Sequence, residues 1–356
     1  MKKILVIQNK RIGDVLISSV IANNIKTVFP DSQVDYFVYD YTTPVLANNP
    51  NIDNIIEAND AELKKVPKLI STIVDVRKRR YDIIFDPYAK FQSRLMCLFS
   101  KAEFRIGLKR AHKTLKIPYY THPISFLDKK SKICGKAIED RINLINKVFP
   151  LKKIDYSPRL YLTKDEKSYD KLVSFKTPII MYGVLGSTPQ KSMPYVYTAT
   201  LIDYIIENKK AKILFNYSPN QKKEALKIYE LCKNKEAILL DIYEEDLRTF
   251  ICLMNKCDAL IANEGGIVHI AKALNKPTFT IFSPYVNKDH WASFEDGKFH
   301  VSTHLLEEKP DLYDEFTFEE RKKIEANPNE LYKKLTPDMI LQKLKPFLDD
   351  QIPKTS

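Results

Sequence analysis

An acidic residue follows the first apolar segment of the chain, where a catalytic group could stand. Asp14 ends the segment 11–14 (Arg-Ile-Gly-Asp), between the apolar run 4–8 and a stretch with helical spacing. The dipole of a helix favours the ionised form of a carboxyl in its first turn. At the carboxyl end of a buried strand, such a group could act as a general base. A first-turn Asp that only stabilises the helix is the alternative, and the residues alone leave both open.

A second segment could bind a phosphate. Residues 186–191 (Gly-Ser-Thr-Pro-Gln-Lys) follow the first apolar run of the second half of the chain. Ser187 and Thr188 offer hydroxyl and backbone N–H groups, and Lys191 offers a positive charge close to the next helix, so together they could hold a diphosphate. The spacing is not that of a P-loop, and an ordinary polar turn is the alternative.

A third segment, 263–269 (Asn-Glu-Gly-Gly-Ile-Val-His), joins an apolar run to an apolar helix. Gly265 and Gly266 would let a phosphate approach the backbone at the positive end of that helix. Glu264 could accept hydrogen bonds from sugar or ribose hydroxyls, and His269 lies one turn into the helix. A tight strand-to-helix turn with a packed histidine is the alternative.

All three segments lie in a pattern of alternating strands and helices. The predicted strands are 4–8, 33–39, 82–86, 178–181, 212–215, 238–240, 259–262 and 278–282. The predicted helices are 14–29, 60–79, 91–100, 135–149, 195–208, 221–232, 247–255, 267–274 and 338–348. This alternation predicts an α/β protein with parallel sheets in doubly wound domains. Ligands of such sheets bind at the carboxyl ends of the strands, where the three segments are expected.

Length and charge indicate two domains and a basic surface. The 356 residues exceed what one hydrophobic core usually organises, and the polar stretch 152–167 predicts the join. The formal net charge of +12 favours polyanionic partners. The segments 64–68, 77–80 and 109–116 are the candidate basic surfaces, and a scattered, solvated lysine surface is the alternative.

Cysteine usage and hydropathy predict a cytoplasmic protein. The five cysteines include no C-x-x-C pair, which argues against a disulfide framework and a zinc ribbon and fits a reducing compartment. The first apolar run is too short for the core of a signal peptide. No run of 18 apolar residues occurs, so we expect no membrane span and at most a peripheral position on a membrane.

Together these segments resemble the ADP-heptose:lipopolysaccharide heptosyltransferases of glycosyltransferase family 9. The matching motifs, in chain order, are 4–7 (Ile-Leu-Val-Ile), 11–16 (Arg-Ile-Gly-Asp-Val-Leu), 29–31 (Phe-Pro-Asp), 49–53 (Asn-Pro-Asn-Ile-Asp), 81–86 (Tyr-Asp-Ile-Ile-Phe-Asp), 93–94 (Ser-Arg), 105–107 (Arg-Ile-Gly), 264–277, which begins Glu-Gly-Gly-Ile-Val-His, and 282–284 (Phe-Ser-Pro). They cover nearly the whole chain in the family's order.

The resemblance implies a GT-B fold, in which two Rossmann-like doubly wound domains face a central cleft. Residues 1–160 would form the N-terminal, acceptor-binding domain. Residues 161–335 would form the C-terminal domain that binds a nucleotide sugar. The C-terminal helix, 336–356, would return to pack on the N-terminal domain.

The resemblance also implies the reaction and the roles of the candidate residues. It implies inverting, metal-independent transfer of a sugar, with heptose from ADP-heptose as the first choice. The acceptor would be the lipopolysaccharide inner core or a related anionic glycolipid at the cytoplasmic face of the inner membrane. Asp14 would be the base, and Arg11 and Arg94 would bind the acceptor. The donor would be bound by Ser187, Thr188, Lys191, Glu264, Gly265, Gly266 and His269. No cofactor beyond the donor, no metal and no nucleic acid are implied.

Three features depart from the family pattern and leave the donor open. Glu264 stands where the family usually has Asp, and Gly265 stands where it usually has Ser or Thr. The carboxylate often used for adenosine recognition is not obvious in 216–221, where Gln221 or the nearby Glu224 could replace it.

Other functions compete with this prediction. Another GT-B nucleotide-sugar enzyme, with a different donor or with 2-epimerase activity, would share the fold. A nucleic-acid binder would fit the charge, but the motifs of such proteins are missing. An NAD-dependent oxidoreductase lacks its glycine fingerprint. His290 and Trp291, which follow the Phe-Ser-Pro motif, could line the donor site or simply pack.

Overall fold

The computed structural model describes residues 1–109, 117–128, 133–188, 192–314, 316–327 and 329–352. The chain divides into two compact units. Unit 1 comprises Met1–Tyr161 and the short segment Asp289–Ser293, and unit 2 comprises Leu162–Lys288 and Phe294–Ser356. The chain passes from unit 1 to unit 2 after Tyr161, next to the expected domain boundary at residue 160. The pattern of strands and helices does not predict that residues 289–293 belong to unit 1.

The sheet of unit 1 has six parallel strands in the described residues, in the order β3-β2-β1-β4-β5-β6. The strands are β1 (Lys3–Ile7), β2 (Gln33–Tyr39), β3 (Asn54–Ala58), β4 (Ile83–Asp86), β5 (Phe104–Leu108) and β6 (His122–Ile124). In the register, Leu5 of β1 lies between Asp35 of β2 and Ile84 of β4. The strand order reverses direction between β1 and β4, so the loops after these two strands flank the switch point where doubly wound sheets bind ligands.

Helices connect these strands, as the alternation predicts. They are α1 (Ile12–Ser18), α2 (Val20–Val28), α3 (Asp60–Leu63), α4 (Val66–Lys78), α5 (Phe91–Phe99) and α6 (Lys136–Asn146). The single helix predicted over 14–29 is divided at Ser19. The hydroxyl of Ser18 donates to the Val15 carbonyl and that of Ser19 to the Leu16 carbonyl, both over 2.7 Å. Such side-chain bonds compete with the regular helical pattern, which accounts for the break.

Unit 2 has a second parallel sheet, with the described strands in the order β11-β10-β9-β7-β8. They are β7 (Ile179–Gly183), β8 (Lys212–Asn216), β9 (Ala259–Asn263), β10 (Thr278–Ile281) and β11 (His300–Thr303). The strand predicted over 238–240 is reduced to one bridge between Ile213 and Ile238. Here the order reverses between β7 and β9, so the loops that contain Ser187 and Gly265 flank the switch point of this sheet.

The remaining helices lie between and after these strands. They are α7 (Lys164–Lys167), α8 (Tyr195–Lys209), α9 (Lys222–Leu231), α10 (Leu247–Lys256), α11 (Gly266–Ala273), α12 (Lys288–Trp291), α13 (Leu305–Glu308), α14 (Phe318–Ala326), α15 (Asn329–Lys334) and α16 (Pro337–Gln351). None of the helices in the described part of the chain is long and apolar enough to cross a membrane.

The C-terminal helix corrects one expectation. The resemblance places it on the N-terminal domain, but α16 buries Ile340, Leu344 and Phe347 in the hydrophobic core of unit 2. The ring of Phe347 lies 5.7 Å from that of Phe279 in β10. The helix packs here because its apolar face meets the apolar side chains of unit 2. The segment that joins unit 1 from the second half of the chain is instead 289–293.

Candidate active site

Asp14 lies at the switch point of the unit 1 sheet. It is the third residue of α1, directly after β1, and only 7% of its surface is exposed. Two further polar side chains, Gln8 and Asn9, are fully buried at the end of β1. Neither polar atom of Gln8 has a hydrogen-bond partner among the described residues. The end of β1 is therefore unusually polar for a buried strand end.

Two cations bind the same oxygen of Asp14. Lys10 donates from Nζ to Oδ1 over 2.8 Å, and Arg141 in α6 donates from Nη2 to Oδ1 over 3.1 Å. Within the described parts of the chain, no hydrogen bond to Oδ2 is present. The carboxylate is thus oriented through one oxygen, while the other remains available to accept a proton.

The segment 289–293 brings an aromatic and a histidine to this cluster. Lys10 Nζ lies 5.6 Å from the ring centroid of Trp291, a distance that permits a cation–π contact. Burial, together with the positive charges of Arg141, Lys136 and Lys10, lowers the pKa of His290 to about 4. His290 is therefore neutral at pH 7. His290 belongs to unit 1, the unit that contains Asp14.

The two predicted acceptor-binding arginines differ in environment. Arg11 is the N-cap residue of α1 and is exposed. Arg94 in α5 is only 8% exposed, and its guanidinium carbon lies 5.6 Å from the ring centroid of Tyr119. An exposed arginine beside Asp14 can meet an anionic substrate directly. Arg94 is held against an aromatic ring and is mostly covered by protein.

The loop after β4 is anchored by a buried carboxyl. Oδ1 of Asp86 accepts the N–H groups of Tyr88 (3.2 Å) and Ala89 (2.8 Å), and Oδ2 accepts the hydroxyl of Tyr120 (2.7 Å). Burial raises the pKa of the Asp86 carboxyl. These bonds fix the second loop at the switch point of unit 1.

In unit 2, the loop after β9 presents the start of α11. Gly265 is the N-cap residue, has an extended backbone (φ 161°) and is exposed. Gly266 is the first residue of the helix, and His269 is half-buried one turn further. The first N–H groups of a helix have no partners within it, so this terminus can bind an anion.

Glu264 has a structural partner. Its Oε2 accepts the backbone N–H of Ser283 over 2.8 Å, which ties the end of β9 to the residues that follow β10. The sequence assigns this carboxylate to sugar or ribose hydroxyls. In the structure, one of its oxygens holds two loops together.

The loop after β7 is also held in a defined shape. Gly186 donates its N–H to the hydroxyl of Ser192 (2.9 Å), and that hydroxyl donates to the carbonyl of Thr188 (3.0 Å). Ser187 and Thr188 are exposed. Lys191, the third predicted diphosphate ligand, lies outside the described residues.

The two candidates for adenosine recognition are engaged within unit 2. Gln221 donates to the carbonyl of Gly186 (2.8 Å) and accepts the N–H of Ser218 (3.0 Å). Glu224 accepts the hydroxyl of Tyr195 (2.5 Å) and the ammonium of Lys227 (2.7 Å). Gln221 therefore supports the loop that carries Ser187 and Thr188.

With this geometry, comparison with known proteins identifies the family. Residues 70–320 match the model of glycosyltransferase family 9 (heptosyltransferase). The chain belongs to this family. It is 25% identical to lipopolysaccharide heptosyltransferase 1 of Campylobacter coli over 297 residues, which cover 79% of this chain and 83% of that protein. It is 22% identical to lipopolysaccharide heptosyltransferase 2 of Escherichia coli (strain K12), with the same coverage.

Solved structures of proteins of this family have the same fold as this enzyme. A family 9 glycosyl transferase from Veillonella parvula superposes with a TM-score of 0.79 at 15% identity, covering 98% of this chain and 97% of that one. The ADP-heptose lipopolysaccharide heptosyltransferase II of E. coli gives a TM-score of 0.71 at 18% identity, covering 98% of each chain. The predicted family, the GT-B fold and the glycosyltransferase class are thereby confirmed.

Sequence reasoning missed three side chains around Asp14 of this glycosyltransferase. Lys10 stands four residues before Asp14, a spacing at which opposite charges often meet, and this signal was available. Arg141 lies 127 positions away and reaches Asp14 only through the packed fold. His290 was predicted either to line the donor site or simply to pack, and its place in unit 1, which contains Asp14, was not foreseen.

Proposed function

We propose that this glycosyltransferase transfers heptose from ADP-heptose to the lipopolysaccharide inner core or a related surface glycolipid. The observation that carries the proposal is the arrangement of Asp14, with both cations on Oδ1 and Oδ2 available at a ligand-binding sheet edge. The lipopolysaccharide heptosyltransferase names of the curated relatives support the choice of donor and acceptor.

In this proposal, Asp14 is the general base. Oδ2 accepts the proton of the acceptor hydroxyl as its oxygen attacks the anomeric carbon of the donor. The bond from that carbon to the diphosphate breaks on the opposite side, so the configuration inverts. Lys10 and Arg141 hold the carboxylate in place, which reduces the reorganisation needed during proton transfer. The exposed Arg11 attracts the anionic acceptor.

The donor is assigned to unit 2. The N-terminus of α11 at Gly265 and Gly266 binds a phosphate, and His269 contacts the donor from the first turn. Ser187 and Thr188, on the loop after the neighbouring strand, bind the diphosphate together with Lys191 and stabilise the charge that develops on the departing nucleotide. Glu264 contributes by holding this sheet edge through Ser283.

The mechanism needs no metal in this proposal. The described residues contain no group of three or more side chains suited to hold a metal ion. Metal independence remains a prediction, which transfer rates measured with and without EDTA would test. A loss of transfer in EDTA that magnesium restores would contradict it.

The first experiment is a thermal-shift screen of the full chain against ADP, UDP, GDP, CDP and ADP-heptose. A ligand at one hundred times its Kd stabilises a protein by about 2.7 kcal/mol, which such a screen detects. We expect a response to ADP and ADP-heptose only. A response to another nucleotide would contradict the assignment of ADP-heptose as the donor.

Turnover then tests the reaction class. Purified protein, ADP-heptose and lipopolysaccharide lacking inner-core heptose should yield heptosylated acceptor and ADP. Conversion of the nucleotide sugar to an epimer, or release of free sugar at the same rate without acceptor, would favour the competing enzyme class and contradict the proposal.

A further inference from the structure

Helix α4 has two apolar faces, and only one of them is covered. Leu69 and Val76 point into unit 1 and are 9% and 2% exposed. Val66, Ile70 and Val74 are 66%, 56% and 41% exposed. These three residues recur every fourth position, so they form one stripe about 12 Å long on the outer face of the helix. We name Val66, Ile70 and Val74 the α4 stripe.

Positive charge surrounds the α4 stripe. The segment 64–80 contains seven basic residues and one acidic residue. Lys68, Arg77 and Lys78 are exposed and form no ion pair within the described parts of the chain. Arg77 and Lys78 lie three and four residues after Val74, so they share its side of the helix. The exposed aliphatic side chains therefore share one face with Arg77 and Lys78, whereas Lys68, two residues from both Val66 and Ile70, lies on another side of the helix.

Some of the local charge is neutralised. Lys64 pairs with Asp60 over 3.0 Å, and Lys65 pairs with Glu62 over 2.5 Å. These pairs at the start of the segment leave five of its seven basic residues, Lys68 and residues 77–80, without an ion pair in the described parts of the chain.

The neighbouring helix continues the exposed apolar surface. α5 packs beside α4, and its Phe91 and Phe99 are 64% and 46% exposed. Both helices follow parallel strands and run back along the sheet, so their first residues lie at its carboxyl edge. Val66 and Phe91 are therefore near the edge of the sheet that carries Asp14.

We propose that the outer face of α4, extended by Phe91 of α5, docks the enzyme on an anionic lipid surface. A helix lying flat with apolar side chains at its centre and Lys or Arg around them has the features of an interfacial membrane helix. Each basic residue near an anionic leaflet strengthens the attachment. The inference goes beyond the proposed function, since docking requires neither donor nor transfer. It would bring glycolipid headgroups to the Asp14 edge of the sheet.

Vesicle co-sedimentation of the full chain tests the docking surface. The vesicles are phosphatidylcholine with about one third phosphatidylglycerol, compared with phosphatidylcholine alone. The stripe variant, Val66→Ser with Ile70→Ser and Val74→Ser, should lower the partition coefficient on anionic vesicles roughly tenfold. The matched control, Val173→Ser with Val196→Ser and Leu231→Ser, removes three apolar side chains of unit 2 that are 73%, 55% and 50% exposed. It should bind like the unaltered protein.

The charge contribution is tested separately. The variant Arg77→Ser with Lys78→Ser should bind anionic vesicles roughly tenfold less, with a weaker dependence on salt. Because all these residues are exposed, the variants should keep the unaltered melting temperature, which serves as the folding control.

Each outcome bears on the docking surface. No binding to anionic vesicles overturns the proposal, as does equal binding by the stripe variant and the unaltered protein. If the protein instead self-associates through the α4 stripe in the absence of vesicles, and does so more at higher protein concentration, the face would be assigned to a second copy of the chain. That result would also overturn the proposal. The ADP thermal shift of the same variants separates the two proposals. Vesicle binding with no nucleotide response would count against the proposed donor alone.

Discussion

Arg141 donates a hydrogen bond to Oδ1 of Asp14 over 3.1 Å, and the two side chains are 8% and 9% exposed. Burial lowers the pKa of Arg141, and the charge of Asp14 opposes that shift. A second bond from Arg141, to the Ala137 carbonyl over 2.6 Å, fixes the guanidinium on α6. The base proposed for catalysis is therefore oriented by a helix far away in the sequence.

Removing Arg141 should reduce both stability and transfer. Arg141→Ala leaves a buried carboxylate with Lys10 as its remaining cation and creates a cavity, so we expect a loss of about 3–5 kcal/mol in the free energy of unfolding. Chemical denaturation measures it. Arg159→Ala is the matched control, because Arg159 pairs with Asp155 at the surface, where the side chains are 45% and 31% exposed. It should cost about 1 kcal/mol or less. Equal losses in the free energy of unfolding for Arg141→Ala and Arg159→Ala would refute a structural role of the Arg141–Asp14 pair.

Asp14→Asn should abolish most turnover and retain donor binding. The amide preserves the shape of the carboxylate but cannot accept the proton of the acceptor hydroxyl. Loss of a general base typically lowers the rate by about 10²–10⁴-fold. Initial rates measure the loss, and the thermal shift with ADP is the control for an intact donor site. Near-normal turnover would show that another group removes the proton.

Most strands could be predicted because they are continuous apolar runs, and these include β8 at one edge of the unit 2 sheet. Four strands were not predicted: β3, β5, β6 and β11. β3 (Asn54–Ala58) is half-exposed, and β11 (His300–Thr303) contains two hydroxyl residues and a histidine, so neither gives a strong apolar signal. The strand order, and with it the two switch points, follows from pairing between distant segments rather than from local spacing. The loops carrying Asp14 and Gly265 could nevertheless be found, because each directly follows a predicted strand.

The candidate site could be predicted less completely than the fold, because the sequence does not show which side chains become hydrogen-bond partners. Glu264 carries the right chemistry for a sugar hydroxyl, but its bond to Ser283 depends on how two loops meet. The C-terminal helix illustrates the same limit at the level of packing. The spacing of its apolar residues predicts one apolar face, but this spacing does not indicate which domain the face packs against. In the structure, the face packs in the core of unit 2.

His290 should make stability depend on pH below neutrality. In the unfolded chain it binds a proton near pH 6.5, and in the folded protein only near pH 4. Between these values the unfolded state binds more protons, so the free energy of unfolding falls as the pH decreases. Because the side chain is half-buried, we expect a contribution of about 1–2 kcal/mol, less than the roughly 3 kcal/mol of a fully shielded group. His290→Gln should reduce the loss between pH 6.5 and 4. Parallel stability curves for the variant and the unaltered protein would contradict this origin.

Gly107→Ala should destabilise unit 1. An added Cβ would lie 2.3 Å from the Cε1 and Cζ atoms of Tyr120, so the ring must move. That movement disturbs the 2.7 Å hydrogen bond from the Tyr120 hydroxyl to the buried Asp86. Overpacking of this kind costs about 1–3 kcal/mol, which thermal unfolding detects. Tyr120→Phe separates the two effects, since it removes the hydroxyl and keeps the ring. An unchanged melting temperature for Gly107→Ala would show that the ring relocates freely.

Gly265→Ser should restore a hydroxyl to the donor loop at no cost to the fold. A Cβ at this position meets no atom within 4 Å, and the extended backbone accepts any residue. As N-cap residue, Ser also adds a few tenths of a kcal/mol to helix stability. If the hydroxyl binds the diphosphate, ADP should bind up to roughly tenfold tighter, the value of one hydrogen bond. Calorimetric titration measures the affinity, and Gly265→Ala controls for the added methyl group. A higher melting temperature without tighter binding would limit the hydroxyl to capping α11. Weaker binding by both variants would instead show that the phosphate approaches the backbone so closely that only glycine fits.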